Sequence, residues 1–174
     1  PSPTTAQHVL EDMDGRIPLI LDGGSAPIGV ESTVLDLTGA IPVVLRPGAI
    51  TPEQIALLLG ACDVADSIMR PMREGEPALS PGMRHRHYAP RARLTLVDGS
   101  PKGVAMAICA ASDAQAGAQI LAMEQNVPLY GKRHVHSLGK DAREAAHRLY
   151  YLLRELDNEG VDRIYCETLP SDGL

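Results

Sequence analysis

The sequence predicts an α/β fold in two parts joined by an irregular linker. Three observations point to it. From Arg93 onward, apolar runs of strand length alternate with helical stripes, the pattern of a mainly parallel sheet. Before residue 60, two β-branched runs flank a Thr38-Gly39 turn and lead into a helix with its start signals in place. Between these parts, residues 61–92 carry Pro71, Pro77, Pro81 and Pro90 with Gly75 and Gly82 and show little periodicity.

Thr4 or Thr5 caps a short helix whose stripe is Val9, Leu10 and Met13 and which Asp14-Gly15 ends. Ile17 to Leu21 reads as a strand bounded by Pro18 and Gly23. Ser32 to Leu37 and Ile41 to Leu45 read as a hairpin, with Gly39 supplying a positive φ. Thr51, Pro52 and Gln54 form a capping-box start, Ile55, Leu58 and Leu59 face a core, and Gly60 stops the helix. After the linker come a strand at Leu94–Val97, a helix at Lys102–Ala111 and a short strand at Ala118–Ala122. Asp141 caps a long helix running from Ala142 to about Glu159. Its stripe is Ala145, Leu149, Leu152, Leu153 and Leu156, with Arg143, Arg148 and Arg154 mostly outward. Gly160 ends it, and a last strand covers Arg163–Glu167.

Composition narrows the function. The 174 residues suit one domain or two small ones. Hydrophobic residues are 44%, enough for a core, but Phe and Trp are absent, so aromatic base stacking is not the main chemistry. The net charge of −6 argues against a broad nucleic-acid footprint and leaves room for a local basic patch. Cys62, Cys109 and Cys166 are odd in number and lack zinc spacing, which suits reduced thiols in a cytoplasmic protein. No run of about 18 apolar residues exists to span a membrane, and no signal peptide is visible. The chain opens at Pro1 and closes just after Pro170-Ser171-Asp172-Gly173, and the expectation is an internal piece of a longer polypeptide.

The chemistry-bearing stretch is Gly29-Val30-Glu31-Ser32-Thr33-Val34 with Leu45-Arg46-Pro47-Gly48. Small hydroxyls, open backbone and one directed guanidinium suit a phosphate or carboxylate. Ser32 and Thr33 read as β-formers at a strand start before they read as ligand-binding hydroxyls, Glu31 as a base or a solvated carboxylate, and Arg46 equally as an anion contact or a surface cation. Asp22-Gly23-Gly24 lacks both phosphate-loop spacings and reads as a turn. The pairs His85/His87 and His134/His136 suggest no third metal ligand. Arg84, Arg86, His87 and Tyr88 form either a solvated linker face or a lid that carries charge onto a polyanion.

These segments carry a resemblance. PSPTTAQHVLEDMDGRIPLILDGG, PIGVESTVLDL, VVLRPGAITPEQI and SPGMRHRHYAPRARL, in that order, resemble the long, two-domain form of threonylcarbamoyl-AMP synthase within the YrdC-like family. GKDAREAAHRLYYLLRELDNEGVDRIYCETLPSDGL resembles the smaller C-terminal domain of that form. The resemblance implies residues 1–60 as the C-terminal part of a YrdC-like twisted-sheet catalytic domain, 61–92 as an interdomain linker and lid, and 93–174 as a small Rossmann-like domain, truncated. It implies that ATP, L-threonine and bicarbonate yield threonylcarbamoyl-AMP and pyrophosphate, with magnesium accompanying ATP. The product passes to a downstream tRNA threonylcarbamoyl transferase. By position, Ser32 matches the threonine-binding serine, Arg46 and Ser2 match ATP contacts, and Arg86, His87 and Tyr88 would close over the nucleotide. The family's upstream K-x-R and S-x-N segments are missing here, so this chain alone is expected to be inactive. Two other functions compete. One is an RNA- or nucleotide-binding module without turnover; the other is a carbamoyl transferase of hydrogenase maturation, whose architecture lacks this linker and second domain.

Overall fold

The computed structural model describes residues 1–70 and 89–169 of the chain. They form two compact units, residues 1–29 with 89–169, and residues 30–70. Both are mixed α/β.

The larger unit is built on four parallel strands: β4 (Arg93–Val97), β5 (Gln119–Ala122), β6 (His136–Ser137) and β7 (Arg163–Glu167). Their order is β4-β7-β5-β6, and all three pairings are parallel. Parallel neighbours need crossover segments. These are α4 (Pro101–Asp113), the 3-10 helix Glu124–Tyr130 and α5 (Ala142–Asn158). Alternation along the strands divides the core. Leu121, Met123, Ile164 and Cys166 pack with Leu152, Leu153 and Leu156 of α5. Ile120, Ala122 and Tyr165 pack with Val104, Ala105 and Ile108 of α4. The two helices therefore cover opposite faces, and the central strands β5 and β7 are buried on both.

The helix starts follow their caps. Ser100 accepts from the Gly103 N–H, and Asp141 accepts from the Glu144 N–H at 2.8 Å. The 3-10 helix and β6 are absent from the sequence reading. Their anchor is Glu167, buried at the end of β7. Its carboxylate accepts from the Met123 N–H at 3.0 Å, Asn126 Nδ2 at 2.9 Å and the Tyr130 hydroxyl at 2.8 Å. These contacts span 37 to 44 residues, so local periodicity could not show them. Burial, then the bond to Glu167, pushes the Tyr130 phenol well above its ordinary value. Burial also pushes the Cys166 thiol up to about 12, which keeps it protonated and unreactive.

The same unit holds α1 (Ala6–Met13), capped by Thr5, whose side chain accepts from the His8 N–H. Two expectations fail here. Ile17–Leu21 is not a strand: Pro18 lacks an N–H for a ladder, and Leu19 and Leu21 are exposed. Arg154 does not face outward. Its side chain is 13% exposed and turns toward α1.

The smaller unit has β1 (Val34–Asp36) antiparallel to β2 (Val43–Arg46), and β3 (Asp63–Val64) parallel to β2. Gly39 does not adopt a positive φ. The hairpin turn is held instead by Asp36, which accepts from the Thr38 N–H at 2.8 Å and its hydroxyl at 2.7 Å. In α2 (Pro52–Leu59) the capping box is complete, and Gly60 closes it at φ 87°. Of the expected inner stripe only Ile55 is buried, while Leu58 and Leu59 are 86% and 55% exposed. Residues 63–69, inside the stretch read as linker, form β3 and the one-turn α3 (Asp66–Met69).

Among the described residues no helix is long and apolar enough to cross a membrane. Leu156 is fully buried in the α5 face. Leu156→Ala is expected to cost about 2–5 kcal/mol, read as a lower denaturant midpoint with an unchanged slope.

Candidate functional site

The hairpin aligns Val34 with Arg46, and the register shifts between Val34 and Leu35. That irregularity ends regular pairing just where the Glu31-Ser32-Thr33 loop begins. Arg46 leaves the end of β2 and reaches back across the pair. Its Nε donates to the Ser32 carbonyl at 3.0 Å and its Nη2 to Ser32 Oγ at 3.1 Å. One planar fork thus sets both the backbone and the hydroxyl of Ser32. Ser32 is exposed and Arg46 half-buried, so the pair stands at the surface with its direction fixed.

Thr33 acts on the other side of the loop. Its hydroxyl donates to the Ile50 carbonyl at 2.7 Å and accepts from the Ile50 N–H at 3.1 Å. This reciprocal pair ties the loop to the segment preceding α2. Gly48 closes the arrangement. A Cβ at Gly48 would lie 2.3 Å from the Thr33 nitrogen, 2.4 Å from the Glu31 oxygen and 2.5 Å from the Ser32 carbonyl carbon. All three are backbone atoms, so only glycine lets the Arg46-Pro47-Gly48 turn lie on the Glu31-Ser32-Thr33 backbone. Of the sequence-predicted residues, then, Ser32 and Arg46 are brought together by direct bonds.

Ser2 belongs to the other unit. Its segment is held by backbone contacts: Arg154 Nε donates to the Pro1 carbonyl at 3.0 Å and to the Ser2 carbonyl at 3.4 Å. The Thr4 N–H donates to His8 Nδ1 at 3.2 Å, and the Thr4 carbonyl accepts from the Ala26 N–H at 2.8 Å. His8 is buried, with its ring 5.6 Å from that of Tyr151. Burial first, then the Arg154 charge, lowers the His8 pKa below its ordinary 6.5. Neutral Nδ1 is the acceptor that Thr4 needs. Arg86, His87 and Tyr88 lie outside the described residues. His134 and His136 meet edge to face, and His136 Nε2 bonds Gln119 Oε1 at 2.9 Å. Among the described residues no group of three or more His, Cys, Asp or Glu side chains is arranged to hold a metal ion.

Sequence reasoning missed three contributors: Gly48 as a contact surface, Ile50 as the partner of Thr33, and Arg154. For Arg154 the only local signal is its place beside the Leu152, Leu153 and Leu156 stripe, where a buried stem is natural.

Residues 50–174 match the family described as threonylcarbamoyl-AMP synthase, C-terminal domain. The chain belongs to the threonylcarbamoyl-AMP synthase family. Residues 1–48 match a second family, described as telomere recombination. The threonylcarbamoyl-AMP synthase of Bacillus subtilis (strain 168) is 41% identical over all of this chain and 50% of its own length. That of Pyrococcus abyssi is 38% identical over all of this chain and 51% of its own length. That of Schizosaccharomyces pombe is 34% identical over 96% of this chain and 44% of its own. The chain thus spans about half the length of the curated relatives it matches. The crystal structure of P. abyssi Sua5 complexed with L-threonine superposes with a TM-score of 0.81 at 35% identity, over 98% of this chain and 49% of that one. A double variant of P. abyssi Sua5 gives the same TM-score at 36% identity, over 100% and 50%.

Two outcomes follow from the geometry. Gly48→Ala forces backbone apart and is expected to destabilise the smaller unit by about 1–3 kcal/mol; an unchanged denaturant midpoint would show that the close approach is not maintained in solution. For His8, a folded pKa below the unfolded 6.5 means the unfolded state takes up the proton first as pH falls. Stability is therefore full above that value and declines as pH drops below it toward the lowered folded pKa. Denaturation at about pH 7.5 and about pH 5.5 should show this slope, and His8→Gln should flatten it.

Proposed function

We propose that the intact protein is a nucleotidyltransferase that makes threonylcarbamoyl-AMP from ATP, L-threonine and bicarbonate and releases pyrophosphate. The observation that carries this reading is the Arg46–Ser32 pair, built on the Gly48 contact, in a chain that superposes on a Sua5 structure complexed with L-threonine. The finer architecture belongs to the same reading. In this reading the first part of the chain, extended through β3 and α3, belongs to a YrdC-like catalytic domain, and residues 93–174 to a small Rossmann-like domain. Supporting the Rossmann-like part is a parallel sheet with a helix on each face.

Each residue has a chemical task. Ser32 Oγ already accepts from Arg46, so its proton remains to be donated to an acceptor such as the threonine carboxylate. The Arg46 fork has N–H donors beyond the two used on Ser32, and these meet a phosphate oxygen of ATP. Ser2, Arg86, His87 and Tyr88 are assigned to the nucleotide. The threonine amine and bicarbonate condense to a carbamate with loss of water. A carbamate oxygen then attacks the α-phosphorus, and the bond to the β-phosphate breaks to free pyrophosphate. The protein need only align these groups and offset phosphate charge. Magnesium would enter as the counter-ion of the triphosphate. The product, a reactive mixed anhydride, passes to a tRNA threonylcarbamoyl transferase. Three free thiols suit a reducing compartment such as the cytoplasm.

The deciding experiment measures pyrophosphate release by the full-length protein, with threonine and bicarbonate omitted in turn. Release that requires both is expected, and no release from folded protein would overturn the reading. Arg46→Ala loses a charge-assisted contact of about 1.5–3 kcal/mol, so kcat/KM for ATP should fall about ten- to hundredfold. Unaltered ATP kinetics would remove Arg46 from the nucleotide site.

A further inference from the structure

We propose that Arg154, on α5, is a positioning residue for the ATP contact at Ser2. The proposal rests on the synthase reading, through the assignment of Ser2 to ATP. The Arg154 guanidinium ties three pieces of chain together. Its Nε serves the Pro1 and Ser2 carbonyls, while Nη1 and Nη2 grip the two carboxylate oxygens of Asp12 near the end of α1, Nη1 at 3.1 Å from Oδ1. The side chain is 13% exposed, so the ion pair is partly shielded from water and its direction is constrained. The Arg154 hydrogen bond holds the Asp12 carboxyl below the ordinary carboxylate range, which keeps the grip intact at neutral pH.

The surrounding helix face does related work. Two turns before Arg154, the Ala146 carbonyl accepts from the Gly29 N–H at 2.9 Å, and a Cβ at Gly29 would lie 2.5 Å from the His147 oxygen. One turn after it, the Asp157 carboxylate accepts from the Arg91 N–H at 2.9 and 3.1 Å and from the Ala92 N–H at 3.3 Å. Helical spacing places positions 146, 150, 154 and 157 along one stripe. The stripe therefore fixes the backbone at Ser2, at Gly29, and at Arg91 and Ala92 just before β4. Arg154 is the member that touches Ser2. Lysine cannot replace it, because one ammonium cannot span two carbonyls and both carboxylate oxygens.

The test uses the full-length protein and varies ATP and threonine separately. Arg154→Met should raise KM for ATP about tenfold while KM for threonine stays within about twofold. Arg154→Lys should restore only part of the difference. On a Ser2→Ala background, Arg154→Met should add little, because the two act through one contact. Arg133→Met is the control. It removes a similar bidentate pair, Arg133 with Asp113, on the surface of the same unit, and should leave both KM values alone. Unchanged KM for ATP in either Arg154 variant, or an equal rise for both substrates, would overturn the proposal. If Arg154→Met does not fold, Arg154→Lys decides by the same criterion. Unaltered protein that releases no pyrophosphate would sink the synthase reading and this proposal together. Active protein with Arg154 variants of normal ATP affinity would sink the proposal alone.

Discussion

The larger unit depends on α5 being packed from two directions. Leu152, Leu153 and Leu156 press onto the parallel sheet, while Arg154 and Asp157 capture backbone from distant parts of the chain. The apolar side provides the driving force, since buried aliphatic area contributes about 25 cal/mol per Å². The polar side provides direction, because hydrogen bonds have strict geometry and apolar contacts do not. A helix docked only by its leucines could slide or roll. One that also holds the Ser2 carbonyl and the Arg91 N–H cannot do so without stranding partly buried polar groups.

The smaller unit solves a different problem with fewer residues. A surface serine ordinarily samples several rotamers. Here Arg46 bonds the Ser32 carbonyl and hydroxyl together, and Thr33 and Ile50 bond each other in both directions. The loop is thus held from both sides, with Gly48 underneath. Preorganisation of this kind lets a small hydroxyl act on a ligand with little ordering cost at the moment of binding. It also explains why a guanidinium suits the position: a lysine would reach one acceptor, not two at fixed spacing.

Buried polar groups do the corresponding work in the sheet. Glu167 gathers the Met123 N–H, Asn126 and Tyr130 around one carboxylate, so an element with little intrinsic stability, a 3-10 helix containing Pro128, is held against β7. Satisfying the carboxylate three times is what permits its burial. The same enclosure leaves Cys166 an inert thiol.

Much of this was legible in the residues. Caps at Thr51, Ser100 and Asp141, the stripe of α5 and the β-branched runs are local signals, and local signals set element type because they act over one turn or one strand. The GVESTV and LRPG wording pointed to Ser32 and Arg46 through the family resemblance, and the fold joins the two by hydrogen bonds. Tertiary structure decided the rest. Ile17–Leu21 had strand composition and found no partner strand among the described residues. Leu58 and Leu59 had core periodicity but are exposed, and Arg154 had a surface residue's charge with a largely buried side chain. In each case the outcome turned on what lay opposite in space. A chain states its own preferences residue by residue, but burial and hydrogen-bond partners belong to pairs separated by tens of residues. Only the folded backbone brings them within reach.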